Sequence, residues 1–245
     1  GKLYFLNGFI ISLFFLFMSS CLDGPEEMRD EIIDDPDTTE ESVPDSIRYL
    51  ALGDSYTIGT GVTEAQNWPN QLAGELEKEG FVLEYFDILA QAGWTTTNLL
   101  NAIENAELRE YNLVSLLIGV NNQYQNRDFA IFQSEFNLLL NKSIEFAGTK
   151  DRVFVVSIPD YGVTPFGSWN SEEIAEEIDM YNEYILNQCE NENIAFINVT
   201  EISRMLGDTF GALASDNLHP SGSQYARWVE VILPVVLELL EIKER

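Results

Sequence analysis

The sequence predicts an α/β domain of three layers, with helices on both faces of a sheet of about five parallel strands. Three observations carry that reading. Short apolar runs recur along the chain, separated by stretches with helical spacing. The runs are continuous rather than alternating, as in strands covered on both faces. Strand and helix patterns also take turns, which implies crossover connections and a parallel sheet.

Taken in order, residues 47–52 read as a short buried strand that ends at Gly53. Trp68, Leu72 and Leu76 are spaced four apart, which predicts a helix over 68–79 with one buried face. The second strand is expected over 82–89, followed by a helix over 97–106. Residues 113–118 are a continuous apolar strand that ends at Gly119, and 129–147 read as a long amphipathic helix. The fourth strand covers 153–158 and is closed by Pro159. Ser171 is expected to cap a helix reaching about residue 190, with Glu173 and Ile174 in its first turn. A fifth strand over 194–199 and a closing helix over 221–242 complete the alternation. No internal repeat is present.

The N-terminal segment reads differently. Lys2 precedes an uncharged apolar run, Leu3 to Met18, followed by Ser19-Ser20-Cys21. A basic start, an apolar middle and small residues at the end have the layout of an export signal over 1–20. The run is short for a membrane span, which takes about 20 residues. Small residues just before a cysteine resemble a bacterial lipobox, with Met18 where leucine is usual. Cys21 is then expected to carry lipid, anchoring an exported protein to a membrane on the periplasmic or cell-surface side. An ordinary secretory signal that happens to contain a cysteine is the alternative. Residues 21–46 are acidic, contain proline and lack periodicity, as a tether would. The folded domain is expected over 47–245.

Composition narrows the function. The net charge is −28, from 41 acidic and 13 basic residues, which disfavours nucleic acid and anionic membranes as partners. It leaves the N-terminal lipid as the expected route to a membrane and favours neutral substrates. The chain has two cysteines and one histidine, too few for a zinc site of those ligands, so no metal or cofactor is expected. Acylation of Cys21 would leave Cys189 as the sole thiol. Cys189 lies in a helical pattern and reads as a small buried apolar residue.

The single histidine lies in Asp216-Asn217-Leu218-His219-Pro220, and near the other end is Gly53-Asp54-Ser55-Tyr56. A serine nucleophile needs a base to take its proton and an acid to orient that base. Here only His219 can be an imidazole base. Ser55 follows the first strand, Gly93 the second and Asn121 the third, while His219 comes after the fifth. In a parallel sheet these positions share the carboxyl edge, where ligands bind.

Four blocks in this order resemble the SGNH (GDSL-type) hydrolase family: Gly53-Asp54-Ser55-Tyr56-Thr57, Ala92-Gly93-Trp94, Gly119-Val120-Asn121-Asn122 and Asp216-Asn217-Leu218-His219-Pro220. The likeness spans about residues 47–240 and implies a flavodoxin-like fold and a serine esterase. It implies Ser55 as nucleophile, His219 as general base and then acid, and Asp216 as the residue that orients the ring. It also implies an oxyanion hole from the N–H groups of Ser55 and Gly93 and the amide of Asn121. Asn122 stands where the family usually has Asp, which questions any contact that needs a carboxylate there. Tyr56 stands where Leu is common, and Asp54 is expected to bond loop N–H groups.

Trp94, Tyr124, Tyr161 and Phe166 lie on loops at the active edge, with Trp169 close by in sequence. They are candidates for lining an acyl pocket or stacking on a sugar; packing within the loops is the alternative. The expected substrates are small-molecule or glycan esters, hydrolysed by a lipase or lysophospholipase-like enzyme or by a carbohydrate deacetylase. From another class, a non-catalytic surface protein using this scaffold to bind glycan or lipid would need no base. Oligomeric state is not legible.

Overall fold

The computed structural model describes residues 46–241. The expected export signal, Cys21 and nearly all of the tether lie outside these residues. Ser46, the tether's expected last residue, instead opens the first strand, where it pairs with Val82.

Five strands form one parallel sheet in the order β2-β1-β3-β4-β5. They are β1 (Ser46–Gly53), β2 (Val82–Ala90), β3 (Leu113–Leu117), β4 (Val153–Val156) and β5 (Ala195–Ile197). This is the doubly wound order of flavodoxin-like proteins, in which the winding reverses between β1 and β3. The central strands are apolar and buried on both faces, as in Leu50-Ala51-Leu52, Leu116-Leu117 and Val153-Phe154-Val155-Val156. β2 is an edge strand and only half-buried. Its Asp87 is held by Arg109 and by the Tyr111 hydroxyl, 2.9 Å away.

Helices cover both faces. α2 (Trp68–Lys78) packs on α8 (Gly222–Glu241), while α3 (Thr96–Asn105) packs on α5 (Phe129–Ala147), and α5 also meets α6 (Ser171–Glu192). The fourfold spacing in α2 buries Trp68, Leu72 and Leu76, as expected from the sequence. In α8, Tyr225, Trp228, Ile232, Val236 and Leu240 form the buried stripe. Pro234 lies inside α8 on its exposed side.

Three short helices lie at or near the carboxyl edge and were not foreseen. They are α1 (Ser55–Ile58), α4 (Val120–Tyr124) and α7 (Thr200–Leu206). Three further expectations change. β5 has three residues rather than six, because the chain turns at Asn198, whose side chain accepts from Thr200 N–H at 2.9 Å. Ser171 is the first residue of α6 rather than its cap, and Asn170 before it bonds to Glu173. α8 begins beyond Ser221, whose Oγ accepts from Gln224 N–H at 3.2 Å.

Candidate active site

Gly53 is the last residue of β1, and a side chain has no room there. A Cβ would come within 2.1 Å of Thr57 Oγ1 and 2.6 Å of the Leu117 carbonyl oxygen. The chain turns at once into α1, with Ser55 as its first residue. Asp54 caps this turn, since its Oδ1 accepts from Tyr56 N–H at 3.0 Å. Its other oxygen is buried without a partner among the described residues. Burial raises the carboxyl of Asp54 to about 7.

Asp216 and His219 sit in a loop closed by its own bonds. Leu213 bridges Pro220, and Ala214 N–H donates to the His219 carbonyl at 2.8 Å. Asn217 takes the left-handed conformation at the tip, with φ 58°, which asparagine tolerates better than most residues. Asp216 Oδ1 accepts the N–H groups of Leu218 and His219, each at 3.0 Å. Its Oδ2 lies 2.7 Å from His219 Nδ1. Burial alone would raise Asp216. The bonds from the His219 ring and from the two N–H groups outweigh it, so the carboxyl falls below its ordinary value. The His219 ring meets the buried Tyr56 ring edge-on, with centroids 5.6 Å apart.

Nδ1 is committed to Asp216, and Nε2 of His219 has no hydrogen-bond partner among the described residues. His219 and Ser55 line the same cavity, together with Gly93 and Asn121. Ser55 Oγ has no hydrogen bond among the described residues. Bonds of this kind are often long in unliganded sites and tighten on binding.

Gly93 and Asn121 reach this cavity from two further segments. Gly93 has φ +83°, which glycine adopts freely. Its carbonyl accepts from Gln125 Nε2 at 3.2 Å, while its N–H and that of Ser55 have no acceptor among the described residues. Asn121, in the first turn of α4, donates one Nδ2 hydrogen to the Trp94 carbonyl at 3.0 Å. An amide nitrogen carries two hydrogens, so the second remains available.

Tyr124, Tyr161 and Phe166 line the cavity and pack on one another, with ring centroids 5.8 to 6.3 Å apart. Tyr161 also donates its hydroxyl to Gln123 Oε1 at 2.9 Å. Trp94 is not among the lining residues; it is half-buried against the core, and only its carbonyl faces the site, bonded to Asn121. Tyr56, Ala92, Val120 and Leu218 line the cavity without having been singled out. Each directly adjoins a residue that was. Cys189 is fully buried in α6, and burial pushes its thiol up to about 12, so it does not act as a nucleophile.

A hydroxyl that shares a cavity with an imidazole–carboxylate pair, beside N–H groups without acceptors among the described residues, has the residue types that acyl transfer uses. Comparison with known proteins agrees in kind. A sequence model described as the GDSL-like Lipase/Acylhydrolase family matches residues 51–227. No curated protein matches the chain. Among solved structures, that of TesA is 20% identical, with a TM-score of 0.61 over 78% of this chain and 98% of that one. An acetyl xylan esterase from Geobacillus stearothermophilus is 17% identical, with a TM-score of 0.59 over 78% and 94%. A GDSL-like lipase from Bacteroides thetaiotaomicron is 16% identical, with a TM-score of 0.55 over 78% and 88%. At these identities the likeness is one of fold. The family match covers most of the chain, so the protein belongs to the GDSL-like lipase/acylhydrolase family and is a serine hydrolase acting on ester bonds.

Proposed function

We propose that the protein hydrolyses carboxylic esters of short to medium acyl chains through an acyl-enzyme on Ser55. One observation supports this above others: Ser55, Gly93, Asn121 and His219, from four separate segments of the chain, line a single cavity. His219 Nε2 takes the Ser55 hydroxyl proton as Oγ attacks the ester carbonyl carbon. The imidazolium so formed is stabilised by Asp216 at Nδ1. The new oxyanion accepts from the N–H groups of Ser55 and Gly93 and from the free Asn121 hydrogen. As the tetrahedral species collapses, the carbon–oxygen bond to the alcohol breaks and His219 gives that alcohol its proton. Water then attacks the acyl-enzyme, with His219 again taking and returning a proton. The acid leaves and Ser55 is restored.

The acyl preference rests on the cavity. It measures about 140 Å³ and is walled by Val120, Tyr124, Tyr161, Phe166 and Leu218. An apolar cavity of about 150 Å³ accepts benzene, so a chain of roughly four to six carbons fills this one. Each buried methylene adds about 0.8 kcal/mol. The competing reading is removal of acetyl groups from a polysaccharide. It draws on Trp169, which is 77% exposed on the loop that carries Phe166, and on the fold shared with an acetyl xylan esterase.

Turnover of p-nitrophenyl acetate, butyrate, hexanoate and decanoate separates the two. The expected kcat/KM peaks at butyrate or hexanoate, and Phe166→Ala moves the peak to longer chains. A maximum at acetate, together with release of acetate from acetylated xylan, would replace this reading with the second. Failure of a fluorophosphonate to label Ser55 would leave the non-catalytic binding protein.

A further inference from the structure

The residue after Asn121 is Asn122, where the family resemblance leads one to expect a carboxylate, and the hydrogen bonds around it account for the difference. Asn122 is 1% exposed. Its Oδ1 accepts from Thr96 N–H at 3.0 Å, and its Nδ2 donates to Thr96 Oγ1 at 2.8 Å. Thr96 is itself fully buried. Its hydroxyl has a single hydrogen to give. That hydrogen goes to Glu135 Oε2 on α5, 2.5 Å away. Thr97 Oγ1 donates to the same carboxylate, at 2.8 and 2.9 Å from its two oxygens. An ionised carboxylate only accepts. Thr96 Oγ1 is therefore left as an acceptor, and position 122 must accept from the Thr96 N–H and donate to its hydroxyl. An amide does both; a carboxylate does not.

We infer that Glu135 is a positioning residue for the oxyanion donors, and that Asn122 is the amide its carboxylate requires. Resting on the oxyanion roles proposed above, this adds a residue that touches no substrate. Asn122 fixes the turn of α4 that carries Asn121. Thr96 begins α3 two residues beyond Trp94, the carbonyl to which the Asn121 amide is bonded. Glu135 thus sets the direction of one hydrogen bond, and that bond locks the two donor loops together. A carboxylate at 122 would place a second anion against a hydroxyl whose hydrogen is already given away. With glutamine at 135 the directions can reverse: the amide donates to Thr96 Oγ1, and Thr96 donates to the carboxylate at 122.

The test is a cycle of four proteins: wild type, Asn122→Asp, Glu135→Gln and the double variant, assayed with p-nitrophenyl butyrate. Misplaced donors act on the barrier more than on binding, so Asn122→Asp lowers kcat about tenfold or more, with KM little changed. In the Glu135→Gln background the same substitution costs less than about threefold, because the bonds re-form in the opposite sense. Equal losses in both backgrounds would overturn the inference. Glu135→Ala guards against misfolding of the aspartate variant. It is expected to lower kcat while Glu135→Gln retains more activity; wild-type kcat in Glu135→Ala overturns the proposal. Urea unfolding of the same four proteins reads the hydrogen-bond match without any substrate. Coupling in stability with an inactive wild type would reject the esterase reading alone, and additive midpoints would reject the relay.

Discussion

Asp216 Oδ2 and His219 Nδ1 lie 2.7 Å apart across three residues of chain, so the pair forms within a single loop and needs no other element to bring its members together. Asp216 also holds two backbone N–H groups with its other oxygen. Asp216→Asn is therefore expected to keep the loop and lose the correct imidazole tautomer. Hydrolysis of p-nitrophenyl butyrate should fall about 10³-fold or more, as it should in His219→Ala. Wild-type rates in either variant would remove the pair from the mechanism.

Asn121 has one amide hydrogen tied to Trp94 and one to spare. In the proposed mechanism, Asn121→Ala removes a donor to charge that exists only in the transition state. The expected loss is about 10²- to 10³-fold in kcat, or about 2.7–4 kcal/mol, with KM little changed. A large KM effect with intact kcat would place Asn121 in substrate binding instead.

Two carboxyls give opposite pH dependences. Asp216 is held below its ordinary value, so its contribution to stability is present above the unfolded value of about 3.9 and is lost as pH falls through the folded one. Asp54 is raised to about 7 by burial, so its neutral form favours the folded state. That contribution is complete below about 3.9 and is lost as pH rises through about 7, an effect on the order of a few kcal/mol. Urea unfolding should show less stability at pH 8 than at pH 5.5, and Asp54→Asn should narrow the gap. An unchanged gap in the variant would assign the dependence to net charge instead.

Export and anchoring rest on residues 1–21 alone. If lipid on Cys21 holds the protein, Cys21→Ala transfers it from the membrane to the soluble fraction, read by fractionation and by loss of palmitate labelling. Unchanged membrane association would refute the anchor.

The sheet was legible because its strands carry short apolar stretches such as Leu50-Ala51-Leu52, Leu116-Leu117 and Val153-Phe154-Val155-Val156, and α2 because its spacing is regular. α1 and α4 were not, since helices of four and five residues have too few turns to show a period. The site blocks could be read because Ser55, Gly93, Asn121 and His219 each follow a strand, and the carboxyl-edge rule places such residues together. Glu135 was out of reach. It lies mid-helix on α5, and only the packing of α5 against α3 brings it to Thr96. Trp94 misled because adjacency to Gly93 fixes the position of its backbone but not the direction of its ring. Tyr124, at the end of α4, and Phe166, on the loop after β4, do reach the cavity.

The self-closed loop from Leu213 to Pro220 has a thermal consequence. Ser55 directly follows a central strand of the sheet, whereas the imidazole stands on a loop closed largely by its own bonds. Segments of that kind open at lower free energy than the core. On warming, the base should come away while the sheet is still intact. Heat inactivation would then precede the melting seen by circular dichroism, and would reverse on cooling.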